Sequence, residues 1–131
     1  MNHEHSAVIL DLSANGVGII RSLATKGIKV YAFDTKKAYK IGKSRLATCG
    51  ICPSPLTEEK KLLNFLITLS KKTGSKPVLY TGADDYVQFI SKNRDELLNY
   101  FLFLLPDDNL VEQVLDKNKT YELAVKHNIP C

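Results

Sequence analysis

Short apolar runs alternate with amphipathic stretches along the chain, and this alternation predicts a parallel α/β sheet. The first apolar run, from Ser6 to Leu12, is typical of a mostly buried strand. A loop then leads into a helix with Ile20 and Leu23 on its apolar face, and Gly27 is placed to end that helix. A second strand at 29–34 completes a strand–helix–strand unit of about thirty residues, as a right-handed crossover requires.

The rest of the chain continues this pattern, with a polar stretch at 35–46 in which we predict no regular element. Thr57 is the expected N-cap of the next helix, and Gly74 is its expected end. Further strands are predicted at 47–52, 77–81 and 101–105, and further helices from Asp84 or Asp85 through Ile90, at 94–100, from the cap at 107–109 through Leu115, and at 118–127. The predicted fold class is therefore α/β: a Rossmann-like, three-layer parallel sheet of about four or five strands with C-terminal linker helices.

The tail differs from the preceding part, because its two helices follow one another almost without a loop. We therefore predict a Rossmann-like domain at 1–107 and the helical start of a second, incomplete domain at 108–131. The expectation is that this sequence is a piece of a longer protein.

Composition excludes several classes of protein. Of the 131 residues, 44% are hydrophobic and 24% charged, and the net charge is +4, which is ordinary for a globular domain. The lysines are scattered among acids and form no dense basic stripe, so we expect no nucleic-acid partner. No apolar run approaches the ~18 residues of a membrane span, and the polar start does not read as a secretory signal. We expect a cytoplasmic protein without a membrane partner.

The segment Cys49-Gly50-Ile51-Cys52 has the CxxC form, and Cys131 makes the cysteine count odd. A structural zinc site needs four ligands, and a redox pair needs a helix N-terminus to lower a thiol pKa. Neither context is evident, so the simplest interpretation is two small apolar residues in or beside a strand.

The loop after the first strand carries Gly16 and Gly18, which resemble the start of the dinucleotide pattern GxGxxG, and Asp34 closes the second strand where a ribose-binding acid would lie. Arg21 stands where the third glycine is expected. Three interpretations remain open for the loop: a dinucleotide site, an anion site at the helix N-terminus, and a tight turn. Asp34 likewise has a structural alternative, capping of the loop that follows it.

In open α/β sheets, ligands gather at the carboxyl ends of the strands. The residues that this rule places on one rim are Gly16, Asp34, Thr81, Gly82 and Asp84. Their co-location predicts a site without naming its ligand.

Several short motifs follow one another in a recognisable order. In chain order they are Asn15–Leu23, Lys26–Val30, Ser44-Arg45, Lys76–Leu79 with Thr81–Asp85, Asn93–Leu97 with Leu105-Pro106, and Asp116–Tyr121 with His127–Pro130. Together they resemble the amino-terminal domain of the ATP-grasp superfamily, in its carboxylate–amine ligase branch, which includes D-aspartate ligases and relatives of carbamoyl phosphate synthase. Asp85 stands where the family has glutamate, and Asn128 where it has glycine.

This resemblance implies a domain that helps to bind substrate for an ATP-binding domain. In such ligases ATP phosphorylates a carboxylate, and an amine (or a thiol) attacks the acyl phosphate. It implies carboxylate and amine substrates, the rest of the ATP-grasp chain as partner, and ATP with Mg²⁺ in the complete enzyme, with none bound to this piece. It implies that Lys117 reaches ATP phosphates and that no catalytic residue or metal ligand lies here; the substrate-side residues it implies are Gly16, Gly18, Asp34, Arg45, Thr81 and Asp84.

Two alternatives stay open. The first is a module that binds NAD(P) or another nucleotide through the glycine loop and Asp34. The second is a regulatory or partner-binding domain whose tail helices, from Asn109 to His127, dock on another chain or on a second copy to give a homodimer. Under the ligase interpretation, the isolated piece is expected to be inactive. Arg45 then holds an anionic group through two hydrogen bonds or pairs with Asp34 or another acid.

Overall fold

A computed structural model describes residues 3–40 and 42–130, so Cys131 lies outside the described residues. This part of the chain forms four strands and seven helices. In chain order they are β1 Ala7–Leu10, α1 Ala14–Ala24, β2 Val30–Asp34, α2 Lys36–Tyr39, β3 Thr48–Ile51, α3 Glu59–Lys72, β4 Val78–Thr81, α4 Asp84–Lys92, α5 Arg94–Leu97, α6 Asp108–Leu115 and α7 Lys117–Lys126. The first four predicted strands are confirmed, each a little shorter than predicted, and α2 was not predicted.

The four strands are all parallel and lie in the order β3-β2-β1-β4. The chain moves outward from β1 to β2 and β3, and then returns to place β4 on the other side of β1. The strand order therefore reverses beside β1, which is where open α/β sheets form a crevice at the carboxyl ends of their strands. The predicted α/β, Rossmann-like class is confirmed.

β1 is buried on both faces, as a central parallel strand should be. Side chains alternate between the two faces of a strand. Val8 and Leu10 thus lie in one apolar cluster with α3 and α4, while Ala7 and Ile9 lie in a second cluster with α1. Helices therefore cover both faces of the sheet and give three layers. β1 lies at the centre of the sheet, and its carboxyl end is the middle of the rim.

The predicted fifth strand at 101–105 is wrong as a strand. Its only pairing with β4 among the described residues is a parallel bridge between Val78 and Leu102. The guanidinium of Arg94 donates to the Leu105 carbonyl at 2.8 Å, which holds the end of this segment at the start of α5. The segment therefore begins along β4 and then leaves it.

Helix starts also differ from the prediction in detail. Thr57 is not the N-cap of α3; a separate turn, closed by a hydrogen bond from the Glu58 N–H to the Ser54 carbonyl at 2.9 Å, precedes the helix. Ala83 occupies the N-cap position of α4, so the two aspartates predicted to cap it lie in its first turn instead. Their negative charges still stabilise the helix there, because the N-terminal end of a helix is electrically positive. The predicted cap at Asp107 is confirmed, since its carboxylate accepts from the Leu110 N–H.

Gly27 and Gly74 follow α1 and α3 with φ of +78° and +82°, the left-handed conformation in which glycine ends a helix. Both predicted helix ends are confirmed. The helix predicted at 94–100 is shorter, ending at Leu97, and the two tail helices lie within a residue of their predicted bounds.

The predicted loop with Gly16 and Gly18 is wrong as a loop, because α1 begins at Ala14 and contains both glycines. The two glycines are expected to respond oppositely to alanine. A Cβ on Gly16 would lie 2.0 Å from the carbonyl oxygen of Asp11, whereas a Cβ on Gly18 meets nothing within 4 Å. Gly16→Ala should therefore lower the free energy of unfolding by more than about 2 kcal/mol through backbone displacement. Gly18→Ala should raise it by about 0.5–1 kcal/mol, because alanine favours a helix interior over glycine.

Urea unfolding of both variants beside the wild-type chain measures the difference. Equal stability of Gly16→Ala and Gly18→Ala would show that the close approach of α1 to Asp11 is not a constraint of the folded state.

Candidate functional site

The loops that follow β1 and β4 meet at the crevice where the strand order reverses. The Thr81 hydroxyl donates to the Leu10 carbonyl at 2.7 Å, and the Asn15 side-chain amide donates to the Gly82 carbonyl at 3.3 Å. A Cβ on Gly82 would lie 2.7 Å from the Asn15 Cβ, so only glycine fits between the loops. The structure thus brings Gly16, Thr81 and Gly82 together, as the sequence predicts for a common rim.

Asp34 ends β2 with a buried carboxylate that is only 7% exposed. Its Oδ2 accepts from the Leu12 N–H at 2.9 Å, and its Oδ1 accepts from the Thr35 N–H at 2.8 Å and the Tyr86 hydroxyl at 2.7 Å. Three donors satisfy the carboxylate within the protein. This geometry favours the capping interpretation of Asp34 over direct contact with a ribose, because the group faces inward.

Asp11 is a rim residue that the sequence reasoning missed. It is 2% exposed and follows β1 directly. Its Oδ1 accepts from the Ser13 N–H and its Oδ2 from the Ser13 hydroxyl, both at 2.7 Å. A Cβ on Gly82 would lie 2.7 Å from Asp11 Oδ2. An acid directly after an unbroken apolar run was the signal that could have identified it.

Two further residues of the predicted site lie at the surface of α1 and α4. Gly18 is exposed and has open space where a side chain would lie. Asp84 is exposed in the first turn of α4. Asn15 and Gly82 fill the space between the end of β1 and the end of β4, which leaves no room there for a side chain at position 82.

Two predicted site residues are not gathered at this rim. Arg45 is exposed on the segment that enters β3, at the amino end of the strand. Within 3–40 and 42–130, no ion pair joins it to Asp34. Lys117 is exposed at the first position of α7, a helix that packs against α6, which in turn packs against α4.

The two cysteines of the CxxC segment lie on opposite faces of the sheet. Cys52 is buried in the cluster with α3 and α4, and Cys49 packs against the cluster with α1. Both thiols are free, and nowhere in the described residues do three potential ligands from His, Cys, Asp and Glu group to hold a metal ion. The geometry favours the simplest interpretation, two side chains that pack beside a strand.

Burial changes the acidity of the groups beneath the rim. It raises the pKa of the Cys52 thiol to about 11, with the Asp34 charge adding to the effect of desolvation. It also raises the pKa of the Tyr86 phenol far above its ordinary value, again mainly through desolvation, with nearby Cys52 and Asp34 contributing. Both groups are therefore neutral hydrogen-bond donors at physiological pH.

Comparison with known proteins shows which proteins this chain resembles. No family model matches the chain. The chain is 24% identical over 136 residues to the D-aspartate ligase of Enterococcus faecium (strain Aus0004), covering 98% of this chain and 32% of that enzyme. The crystal structure of an L-amino acid ligase from Bacillus licheniformis superposes with a TM-score of 0.72 at 14% identity, over 99% of this chain and 32% of the other.

A biotin carboxylase domain of a single-chain bacterial carboxylase also superposes, with a TM-score of 0.58 at 15% identity, over 95% of this chain and 30% of that one. The chain thus spans less than a third of each of these proteins. The sequence resemblance to the ATP-grasp ligases is confirmed by these matches. Part of the L-amino acid ligase and part of the carboxylase share the fold of this chain.

Replacing the Asp34 carboxylate should test its place in the fold. In Asp34→Asn, an NH₂ group replaces one carboxylate oxygen. In either orientation of the amide, this NH₂ group faces a backbone N–H, that of Leu12 or that of Thr35, and a backbone N–H cannot accept a hydrogen bond. The free energy of unfolding should fall by about 2–3 kcal/mol. The matched control Asp84→Asn changes an exposed carboxylate and should stay within about 0.5 kcal/mol of wild type. Urea denaturation that gives equal losses for both variants would contradict the buried network.

The raised pKa of Cys52 predicts a loss of stability in alkali. The folded state keeps this thiol protonated after it ionises in the unfolded chain, so the stabilisation is present below about pH 9 and is lost as the pH rises toward about 11. Between these limits wild type should lose on the order of 1–2 kcal/mol more than Cys52→Ala. Cys49→Ala retains Cys52 and should follow the wild-type curve. Identical pH profiles for wild type and Cys52→Ala would rule out this linkage.

Proposed function

We propose that this chain is the amino-terminal, substrate-side domain of an ATP-dependent ligase that joins a carboxylate to an amine or a thiol through an acyl phosphate. The observation that carries the proposal is the similarity to D-aspartate ligase, which runs over 98% of the chain. The two structural neighbours, a ligase and a carboxylase domain, share the fold over nearly the same span. The C–N bond is made by the complete enzyme, and this piece alone does not turn over ATP.

In this proposal Lys117 reaches the phosphates of ATP. Its neighbours have structural roles: Asp116 caps α7 by accepting from the Asn118 and Lys119 N–H groups, and the Thr120 hydroxyl donates back to carbonyls of the α6–α7 junction. Lys117 is exposed, and the packing of α7 on α6 does not require it. A positive charge held at the start of a helix can offset the charge of a transferring phosphoryl group.

The substrate carboxylate or amine lies, in the same proposal, at the surface formed by the amino-terminal halves of α1 and α4. Gly18 offers open space there and Asp84 an exposed charge, while Gly16 and Thr81 hold the loops. Asp34 is buried beneath this surface and contributes indirectly, through its hydrogen bonds within the protein. Arg45 lies at the amino end of β3, on the side of the sheet away from this surface, and any anion contact it makes is separate from it.

In this proposal the groups that bind magnesium belong to the rest of the ligase chain. When bound, ATP with its metal supplies the phosphoryl group that activates the carboxylate. We place the boundary between the Rossmann-like domain, 1–107, and the next domain, 108–131, where α6 begins. Among the described helices, none has the length and apolar character of a membrane span. As part of the ligase proposal, the enzyme is cytoplasmic and acts on small-molecule substrates.

A partner-binding role is the second candidate. Tyr121, Val125 and Ile129 are 61%, 55% and 57% exposed, and their spacing of four places them along one side of α7 and its end. Such an apolar stripe suits contact with further polypeptide, either the rest of the ligase or a second copy. The NAD(P) alternative has less support, because the buried carboxylate of Asp34 is turned away from the rim.

Titration of the ¹⁵N-labelled chain separates these functions. D-Aspartate is expected to shift amide signals at the first turns of α1 and α4, and MgATP is expected to remain unhydrolysed. Gly18→Leu fills the open space above α1 and should weaken D-aspartate binding by about tenfold, one lost contact of roughly 1.4 kcal/mol. Ser22→Leu, one turn further along α1, is the matched control and should bind as wild type.

Hydrolysis of ATP by the isolated chain would contradict the substrate-side assignment. Saturable binding of NAD without any response to D-aspartate would favour the nucleotide-binding module instead. A mass above 14.6 kDa in solution, abolished by Val125→Glu, would favour the partner-binding domain.

A further inference from the structure

Tyr86 carries a buried hydroxyl that the proposed site does not use. It is the third residue of α4 and only 4% exposed. Packing alone would be served by phenylalanine, as it is at Phe89 one turn later in the same cluster. Its hydroxyl instead donates to Asp34 Oδ1 at 2.7 Å, so the polar atom has a specific partner from another element.

The direction of the hydrogen bonds in this cluster is fixed by chemistry. A carboxylate only accepts, so the phenolic proton of Tyr86 points to Asp34. The Cys52 sulfur lies 3.6 Å from the Tyr86 oxygen, and because that oxygen has given its proton to Asp34, the thiol is the donor. The order of donation runs from Cys52 to Tyr86 to Asp34, and thus from the end of β3 through α4 to the end of β2.

The other carboxylate oxygen reaches the segment between β1 and α1. Asp34 Oδ2 accepts from the N–H of Leu12, which lies between β1 and α1. Leu12 directly follows Asp11, whose carbonyl oxygen occupies the space that a side chain on Gly16 would need. The stretch of backbone that is hydrogen-bonded to the Asp34 carboxylate is therefore continuous with the backbone on which the first turn of α1 packs.

We propose that Tyr86 is a positioning residue for the rim: by orienting Asp34 it sets the position of the amino-terminal half of α1, with Gly16 and Gly18, relative to the start of α4, where Asp84 lies. One buried hydroxyl then fixes the position of α1 relative to α4 at the rim. The effect of this coupling on substrate binding rests on the proposed function, whereas the coupling itself exists in the ligand-free protein.

The test compares Tyr86→Phe with the matched control Tyr31→Phe, which removes a phenolic oxygen from β2 outside this network. In ¹H–¹⁵N spectra of the ligand-free chain, Tyr86→Phe should shift the amides of Leu12, Ser13 and Gly16 well beyond the changes caused by the control. The affinity for D-aspartate should fall roughly tenfold, as expected for one lost hydrogen bond that orients the site. Tyr31→Phe should leave both unchanged.

A folded Tyr86→Phe chain with unshifted amides from Leu12 to Gly16 would overturn the proposal. If Tyr86→Phe does not fold, Cys52→Ala removes only the donor to the Tyr86 oxygen and should move the same amides by a smaller amount; no movement there overturns the proposal equally. Shifted amides in a chain that never binds D-aspartate would sink the proposed function and leave the positioning of the loop by Tyr86 established.

Discussion

Three donors from different parts of the chain converge on the buried carboxylate of Asp34. One is the N–H of Leu12 in the loop to α1, one the N–H of Thr35 before α2, and one the hydroxyl of Tyr86 in α4. A buried charge is tolerated only when hydrogen bonds replace its hydration. The carboxylate therefore needs these donors, and the loops at the carboxyl edge keep the positions in which they supply them.

The strands and the sheet class could be predicted because a central parallel strand such as β1 is an unbroken apolar run, and helices were marked by glycine stops. The predicted strand at 101–105 failed because its apolar pattern says nothing of Arg94, whose bonds to the carbonyls at the end of the segment hold it at α5. The start of α3 was misplaced since Ser54 forms a turn of its own before the helix. Both errors depend on particular hydrogen bonds rather than on hydrophobic period.

The candidate site was predictable only in part for the same reason. Parallel topology places Gly16 and Thr81 at one edge, so pattern and the carboxyl-end rule sufficed for them. Tyr86 has the spacing of a core residue on a helix, and nothing local reveals that its hydroxyl meets Asp34. Motif similarity made Arg45 a candidate substrate-side residue without fixing its place, and the structure puts it on the segment that enters β3, at the amino end of that strand.

Native-state hydrogen exchange tests the central role of the Asp34 carboxylate most directly. The amides of Leu12 and Thr35 lie in loops and donate to that carboxylate. If it holds the rim together, both should exchange only through large-scale unfolding, at rates close to those of amides in β1. The exposed Leu46 amide, bonded to the Ser44 hydroxyl, is the reference for a loop outside the network. Exchange of Leu12 and Thr35 as fast as that of Leu46 would contradict this account.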